Sequence, residues 1–359
     1  NFCGFWRCIL NSGQDKSPTV LAHDRACGNG DVAVPITDDC SRVLCDLQGE
    51  VKNKFAPKKA DAEKLADVYQ EIFSRTGSPG FQRRHEYVSR CGDYLEYHIT
   101  ERQARLHAAN FCKDRLCPMC NWRRSLKIFG QVSRIMNQLE AGGYVFLFLT
   151  LTVRNCSADE LPGTVQALYD GWRKMYHKAP VFRKRVAGSF RSLEVTRNQK
   201  TGEFHPHLHV VLAVLPSYFD GHNYMSQAAW AKLWRDCCGL DYNPVVDIRR
   251  IKPGAKGLAG AVAEVTKYAV KSADFLCGTM ADRVAYVTAF LRALAGRRLC
   301  SYTGVFAKVR KQLALDDAEN GDLLNVDGGD LRDDVAYMVV RYSWKSGVYV
   351  REIAAGDGK

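Results

Sequence analysis

The stretch His205-Pro206-His207-Leu208-His209 runs directly into an apolar segment, Val-Val-Leu-Ala-Val at 210–214. A run of this kind predicts a buried strand over residues 204–214. Because side chains alternate along a strand, His205, His207 and His209 share one face and Leu208 points to the other. Two neighbouring imidazoles can hold one metal ion, so the strand is a candidate metal site, with His205 as a neighbour of the pair.

The composition favours a globular protein with a polyanionic partner. The chain has 359 residues, 46% of them hydrophobic, and a net charge of +12. This length allows two or three domains, and the basic excess points to nucleic acid as the commonest partner. No segment approaches the ~20 apolar residues of a membrane span, and no signal peptide pattern is present. We therefore expect a cytoplasmic protein without a membrane partner.

The order of predicted elements gives the fold class. Strands are predicted over residues 144–153, 190–196, 204–214 and 245–251, with amphipathic helices after the first and the third of them. The series β-α-β-β-α-β predicts a ferredoxin-like α+β fold, with a mostly antiparallel sheet, helices on one face and the histidine strand inside.

A carboxylate on the neighbouring strand adds to the histidine pair. Glu194 lies on the predicted partner strand, so its side chain can meet His207 and His209 across the hairpin. A mixed nitrogen and oxygen set suits Mg²⁺ or Mn²⁺ and leaves positions open for a phosphate oxygen. The alternative is that Glu194 is an ordinary cross-strand polar residue.

The 14 cysteines of a protein in a reducing compartment favour metal ligation over disulfides. Cys112, Cys117 and Cys120 lie close together, and Cys91 precedes them. The Cys-x-x-Cys spacing of the last two lets both thiolates face one ion, which predicts a structural four-thiolate Zn²⁺ site. Cys91 is the most distant ligand, and His98 or His107 is its possible substitute. Free or redox cysteines are the alternative.

A helix predicted from residue 258 to about residue 275 carries a second reactive group. Glu264, Tyr268 and Lys271 are spaced i, i+4 and i+7, so they project from one face of that helix. A tyrosine oxygen can attack a phosphodiester, and a carboxylate can activate a water molecule as general base. The alternative is a surface helix with an ordinary Glu-Tyr contact.

These elements divide the chain into four predicted parts. Residues 1–56 show no hydrophobic period and are expected to be a disordered extension. Residues 57–140 form a helical module with the four-cysteine zinc site, including a helix over 122–139 with Arg123, Arg124 and Lys127 at exposed positions. The predicted sheet domain spans 141–315. Residues 316–359 are an acidic, solvated linker followed by a β-hairpin.

Three segments, in order along the chain, resemble the motifs of the HUH endonucleases that initiate plasmid rolling-circle replication. They are residues 146–152 (FLFLTLT), 205–210 (HPHLHV) and 264–271 (EVTKYAVK). Residues 111–124 resemble the cysteine segment of the branch that uses a single tyrosine and a partner glutamate. Residues 296–306 are similar to the downstream motif of that branch.

This resemblance implies a metal-dependent, site-specific DNA endonuclease and strand transferase. His207 and His209 would bind the divalent metal, and Tyr268 would nick one strand at the plasmid origin and stay joined to its 5′ phosphate. Glu264 would activate water in the closing step, and Lys271 matches a family lysine near the metal. The implied partners are plasmid origin DNA and host replication machinery such as a helicase. The alternatives are a relaxase or HUH transposase, and a zinc-stabilised DNA-binding protein without catalysis.

Overall fold

The computed structural model describes residues 38–100, 102–267, 270–326 and 337–354, which lie in one compact unit. Its strands are β1 (Tyr94–Ile99), β2 (Ala104–Ala109), β3 (Val145–Thr152), β4 (Gly188–Arg197), β5 (Phe204–Val214), β6 (Val246–Arg250), β7 (Cys300–Thr303), β8 (Met338–Lys345) and β9 (Val348–Ala354). Its α-helices are α1 (Asp38–Glu50), α2 (Ala56–Thr76), α3 (Pro79–Ser89), α4 (Pro118–Ala141), α5 (Leu161–Lys178), α6 (Pro180–Arg183), α7 (Gln227–Cys238), α8 (Ala255–Val265), α9 (Met280–Leu294) and α10 (Gly304–Gln312). A π-helical turn (Val51–Phe55) and 3₁₀ turns (Pro216–Phe219, Gly221–Asn223 and Ser272–Asp274) complete them.

Five strands form the central sheet in the order β6-β3-β5-β4-β7, and every neighbouring pair is antiparallel. Strands β3 to β6, with α5 and α7 between them, follow the predicted β-α-β-β-α-β order, and β7 is added beside β4. The α+β fold class is therefore confirmed. The histidine strand β5 is the middle strand, because its run of apolar residues is buried on both faces.

Helices cover both faces of this sheet, so the expectation of helices on one face is wrong. On one face, Leu208 and Leu212 pack in the same cluster as Trp172 of α5 and Trp234 of α7. On the other face, Val211 packs with Ile135 of α4 and with residues of α8 and α10. The β-α-β-β-α-β pattern includes only the helices that connect the strands of the sheet. Helix α4 precedes β3, the first of these strands, and α8 follows β6, the last.

Residues 38–55 are helical, which corrects the expected disorder for that part of the chain. Leu44, Leu47, Val51 and Phe55 are spaced three and four apart and are buried. The Phe55 ring packs edge to face on Trp122, with the ring centroids 4.7 Å apart. This stripe was obscured by the cysteine, glycine and aspartate residues around it. Residues 1–37 of the predicted extension lie outside the described residues.

A smaller sheet has the order β2-β1-β8-β9. Strands β8 and β9 form a hairpin through Ser346 and Gly347, both with positive φ, which is the geometry of a tight two-residue turn. β8 also pairs with β1, so the hairpin completes a sheet that begins beside the cysteine residues. The division of the chain into four domains stays a prediction.

Residues 316–326, here called the acidic strap, pack against α4. Arg123 donates to the backbone oxygens of Leu323 and Leu324 at 2.9 and 2.7 Å, and Arg124 donates to that of Glu319 at 2.9 Å. These two side chains and Lys127 are buried, so the interpretation of all three as exposed is wrong. The strap is likewise not a solvated linker over these residues. Buried cations on α4 are tolerated because backbone carbonyls and carboxylates of the strap satisfy them.

Among the described residues, no helix combines the length and the apolar character needed to cross a membrane.

Candidate active site

The side chains of Glu194, His207 and His209 meet on one face of the central sheet. Strand pairing places Glu194 directly opposite His207. The Nε2 atoms of His207 and His209 are 3.1 Å apart, and Glu194 Oε2 lies 2.9 Å from Nε2 of His209 and 3.3 Å from Nε2 of His207. All three side chains are buried. The structure brings the three predicted ligands together in a group that could hold a metal ion.

The outer nitrogens of the two imidazoles fix how the rings face the cluster. His207 Nδ1 lies 3.1 Å from the backbone oxygen of His205. Because a carbonyl oxygen only accepts, this contact requires the proton on Nδ1, and in the neutral ring Nε2 then presents its lone pair to the cluster. His209 Nδ1 is 3.3 Å from Thr150 Oγ1, which can accept a hydrogen bond from this nitrogen in the same way. Partners of this kind orient metal-binding histidines in known sites.

Glu194 supplies the negative charge of the group. Burial raises the pKa of its carboxyl, but His207 and His209 lower this pKa by more and hold it well below the usual range. When both rings are neutral and carry their proton on Nδ1, the cluster offers one carboxylate oxygen and two nitrogen lone pairs to a cation. His205 lies outside this group, since its Nδ1 is 2.8 Å from Asn155 Oδ1.

Lys271 also reaches the cluster, although by a different path from the predicted one. Its Nζ is 3.2 Å from Glu194 Oε1. Helix α8 ends at Val265, whose carbonyl accepts a hydrogen bond from Ser192, and Lys271 has an extended backbone. The predicted continuous helix to residue 275 is therefore wrong. Glu264 and Lys271 do not share a helix face, because the backbone leaves the helix between them.

Glu264 lies in the last turn of α8, and its carboxylate pairs with Lys267 at 2.5 Å. Tyr268, the predicted nucleophile, lies outside the described residues. Lys271 therefore lies beside the predicted metal ligand Glu194, whereas the carboxylate of Glu264 pairs with Lys267.

Two residues near the site, Thr150 and Ser272, were not predicted from the sequence. Thr150 orients His209 and lies opposite it on β3, so the strand register could have identified it. Ser272 Oγ donates to Asp61 Oδ2 of α2 at 2.9 Å and ties the segment after Lys271 to a distant helix. No local sequence pattern signals a contact between residues so far apart.

The four predicted thiolate ligands also form one group. The Sγ atom of Cys91 is 3.5 Å from that of Cys120 and 3.6 Å from that of Cys117, and Cys112 Sγ is 3.7 Å from Cys120 Sγ. Cys117 is the N-cap of α4 and Cys120 lies in its first turn. Hydrogen bonds from Cys112, Cys117 and Cys91 hold the pKa of the Cys120 thiol well below its usual value. This donor set fits a closed four-coordinate metal site.

Cys91 lies within the group, so the distances favour it over His98 and His107. These histidines stack on each other instead, with ring centroids 3.7 Å apart. With Glu96 they form a third group that could hold an ion. That group is a poorer fit, because Glu96 already pairs with Arg341 at 2.8 Å and accepts from the Tyr94 hydroxyl.

Comparison with known proteins identifies relatives over most of the chain. The family model described as Replication protein, Rep_1, matches residues 103–350. "Protein rep" of Bacillus amyloliquefaciens is 37% identical over 319 residues, which cover 83% of this chain and 93% of the relative. "Protein rep" of Streptococcus pneumoniae is 38% identical over 289 residues, covering 79% and 87%. "Replication protein" of Staphylococcus aureus is 32% identical over 206 residues, covering 56% and 87%.

No solved structure matches the chain. The family model covers more than half of the sequence, and the first relatives are similar over nearly their full length. The chain therefore belongs to the Rep_1 family of replication proteins, and the resemblance of its motifs to plasmid rolling-circle initiators is confirmed.

Proposed function

We propose that this plasmid replication initiator nicks one strand of its origin DNA by attack of Tyr268, and that it rejoins or releases the strand at termination. The observation that carries the proposal is the convergence of His207, His209 and Glu194 on one face of the sheet, with Lys271 beside the carboxylate. Tyr268 precedes Lys271 by three positions in the sequence. It is proposed as the nucleophile from its place in the motif.

His207, His209 and Glu194 would hold the divalent cation, Mg²⁺ or Mn²⁺. One oxygen and two nitrogen donors leave coordination positions for a phosphate oxygen, which fits these ions. When bound, the ion would act as a Lewis acid that stabilises the charge developing on the phosphate. The family relationship supports origin DNA as the substrate.

The remaining steps belong to residues of the chain. The Tyr268 hydroxyl gives up its proton as its oxygen forms a bond to the scissile phosphorus, the bond to the 3′ oxygen breaks, and the leaving 3′ oxygen takes up a proton. In the closing half, Glu264 removes a proton from a water molecule that attacks the same phosphorus and frees Tyr268. Lys271 places a cation beside Glu194 and the phosphate, which favours binding of the polyanionic substrate.

The cysteine cluster is proposed to bind Zn²⁺ with a structural role, because four thiolates leave no position for a substrate. Host replication machinery such as a helicase would unwind the nicked duplex so that the free 3′ end can be extended, and the whole process belongs to the cytoplasm. Both statements follow from the proposed role in plasmid replication.

The test uses labelled single-stranded oligonucleotides tiled across the replicon that encodes the chain, incubated with Mn²⁺. We expect a covalent protein-DNA adduct with the wild-type chain and none with Tyr268→Phe, which should still bind the oligonucleotide. Glu264→Ala should form the adduct but release it more slowly. Cleavage by Tyr268→Phe at the wild-type rate contradicts the proposed nucleophile. Absence of any adduct with the folded wild-type protein favours a DNA-binding protein without catalysis.

A further inference from the structure

The edge of the central sheet beside the histidine cluster carries two arginines that are stacked on aromatic rings. Strand β6 is an edge strand and pairs only with β3 in this sheet. Arg249 of β6 lies with its guanidinium 5.0 Å from the centroid of the Phe148 ring. Arg154, just beyond the end of β3, lies 3.9 Å from the centroid of the Tyr242 ring. Both side chains remain about two-thirds exposed, at 62% and 65%.

Strand register puts Arg249 on the same face as the proposed metal ligands. Arg249 lies opposite Phe148, and Thr150 of the same strand lies opposite His209. Residues two apart on a strand share a face, so Arg249, Phe148 and His209 face the same side. The Phe148 ring is buried and its centroid is 5.6 Å from that of His209. One aromatic ring thus supports both the proposed metal site and the exposed guanidinium.

Arg154 lies at the other end of the same edge. Its backbone N–H donates to the Tyr242 hydroxyl at 2.8 Å, which fixes the ring under its own guanidinium. Thr152, opposite His207, donates to the backbone oxygen of Val245 at 2.7 Å. Val245 itself is 74% exposed. The two arginines therefore flank an exposed apolar side chain that lies beside β3, one strand away from the histidine strand.

Stacking prepares a guanidinium to bind phosphate. The ring fixes the plane of the cation and reduces the rotamer freedom that binding would remove, while the N–H groups stay accessible. The nearest carboxylates compete weakly, because Asp247 is 3.9 Å from Arg249 and Asp241 is 3.6 Å from Arg154, and all four side chains are more than half exposed. Sites for single-stranded DNA combine cationic side chains that follow the backbone with aromatic rings and cation–π contacts of arginine.

We propose that Arg154, Val245 and Arg249 bind the sugar-phosphate backbone of the DNA strand that enters the histidine cluster, while the rings of Tyr242 and Phe148 support the two arginines; these five residues are here called the edge strip. The proposal rests on the proposed function, because it takes DNA at that cluster as its starting point. In the edge strip, Arg249 and Arg154 each contact one phosphate, and Val245 contacts a sugar or base between them.

The test measures the affinity for a labelled single-stranded oligonucleotide from the replicon as salt is raised from about 50 to about 300 mM, in a Tyr268→Phe background that cannot cleave. Arg249→Ala and Arg154→Ala should each reduce the slope of log Kd against log salt by about 0.7, which corresponds to about fourfold weaker binding near physiological salt. The matched control is Arg173→Ala on α5, which removes an equally exposed arginine paired with Asp170 and should change neither quantity.

A second measurement locates the contact on the DNA. The oligonucleotide is shortened stepwise from each end, and the affinity is compared between Arg249→Ala and its parent. On the flank that Arg249 contacts, shortening should weaken binding of the parent and leave the variant unchanged, since the lost contacts are the same. Equal losses in both proteins at every length, or an effect of Arg173→Ala equal to that of Arg249→Ala, would overturn the proposal.

The outcomes separate this inference from the proposed function. If the wild-type chain forms no adduct but the edge strip variants still lower the salt slope, the nicking proposal fails and the edge strip stands. If the adduct forms normally and the salt slopes of the variants are unchanged, only the edge strip is excluded. A midpoint of thermal unfolding equal to that of the parent protein shows that each variant retains the fold.

Discussion

The cysteine cluster and the histidine cluster are both groups that could hold a metal ion, and they differ in completeness and in access. Four thiols close the first group, and Cys91, Cys117 and Cys120 are fully buried. Backbone N–H groups of Lys113 and Asp114 add hydrogen bonds to its sulfurs at 3.2 and 3.4 Å. A tetrahedral ion there would have no position left for a substrate.

The histidine cluster has one carboxylate and two imidazoles, which leave coordination positions open for a substrate. Lys271 lies beside this cluster, and its side chain is 35% exposed to solvent. The two groups thus differ in ligand number and in the exposure of neighbouring side chains, as expected of a structural site and of a site that admits a reactant. We therefore expect mutations in the two clusters to affect different measurements.

The largest effect on stability is expected from Cys117→Ser. Loss of one thiolate should abolish tight Zn²⁺ binding and lower the free energy of unfolding by at least about 3 kcal/mol, because metal binding and folding of such modules are coupled. Thermal denaturation and the zinc content of the purified protein measure this. Cys45→Ser is the control, since Cys45 is exposed and outside the cluster. A stable, zinc-loaded Cys117→Ser protein would contradict the structural role.

The next effect separates chemistry from stability. His209→Ala should lower the nicking rate by about 10² to 10³-fold, since it removes a proposed ligand of the ion that would stabilise the phosphate charge. Its free energy of unfolding should fall by no more than about 2 kcal/mol. Binding of Mn²⁺ by calorimetry and adduct formation are the measurements. His205→Ala, on the same face but bonded to Asn155, should change nicking less than about threefold, and a loss equal to that of His209→Ala would show the ligands are misassigned.

Helix α2 connects the two clusters. Lys59 Nζ lies 2.5 Å from an oxygen of Asp93, just after Cys91, and Tyr69 donates to Asp114, between Cys112 and Cys117, at 3.0 Å. Asp61 of the same helix accepts from Ser272, next to Lys271. The helix is thus fixed on the cysteine cluster and holds the segment that carries Lys271.

The smallest effect is expected where this connection is cut. Asp61→Ala and Ser272→Ala should each slow nicking about three- to tenfold with unchanged Mn²⁺ affinity, because a displaced Lys271 impairs the reaction and leaves the metal ligands in place. The double variant should be no slower than either single variant, as expected for partners in one contact. Asp61→Asn keeps an acceptor oxygen and should recover most of the rate. Asp67→Ala, an exposed position on α2, is the control, and additive losses in the double variant would exclude the connection.

Strand alternation predicted much of the central sheet and the candidate site. The predicted histidine strand has the bounds of β5, and the register of Glu194 against His207 follows from the hairpin that joins β4 to β5. These features depend on residues close in sequence, for which period and turn signals are informative.

Contacts between distant segments could not be predicted in the same way. Helix α8 ends at Val265, whose carbonyl accepts a hydrogen bond from Ser192 of β4, and no breaker residue marks this end in the sequence. The apolar period of the helix predicts Arg123 and Arg124 at exposed positions, whereas the acidic strap buries them through backbone carbonyls about two hundred positions away. A local sequence pattern shows charge and hydrophobic period. It does not show which distant backbone carbonyl will accept the hydrogen bonds of a buried arginine or lysine.

The pairing of β1 with β8 has a consequence for the order of folding during synthesis. Glu96 and Arg341, which face each other in this pair and form an ion pair, are 245 residues apart. The central sheet lies between them in the chain and can pair its strands while the ribosome is still translating the acidic strap. The smaller sheet, by contrast, has to wait for β8 and β9 to emerge, and contacts between such distant segments form slowly. During that interval β1 has an unpaired edge beside the cysteine cluster, so the nascent chain is most exposed to misassembly there.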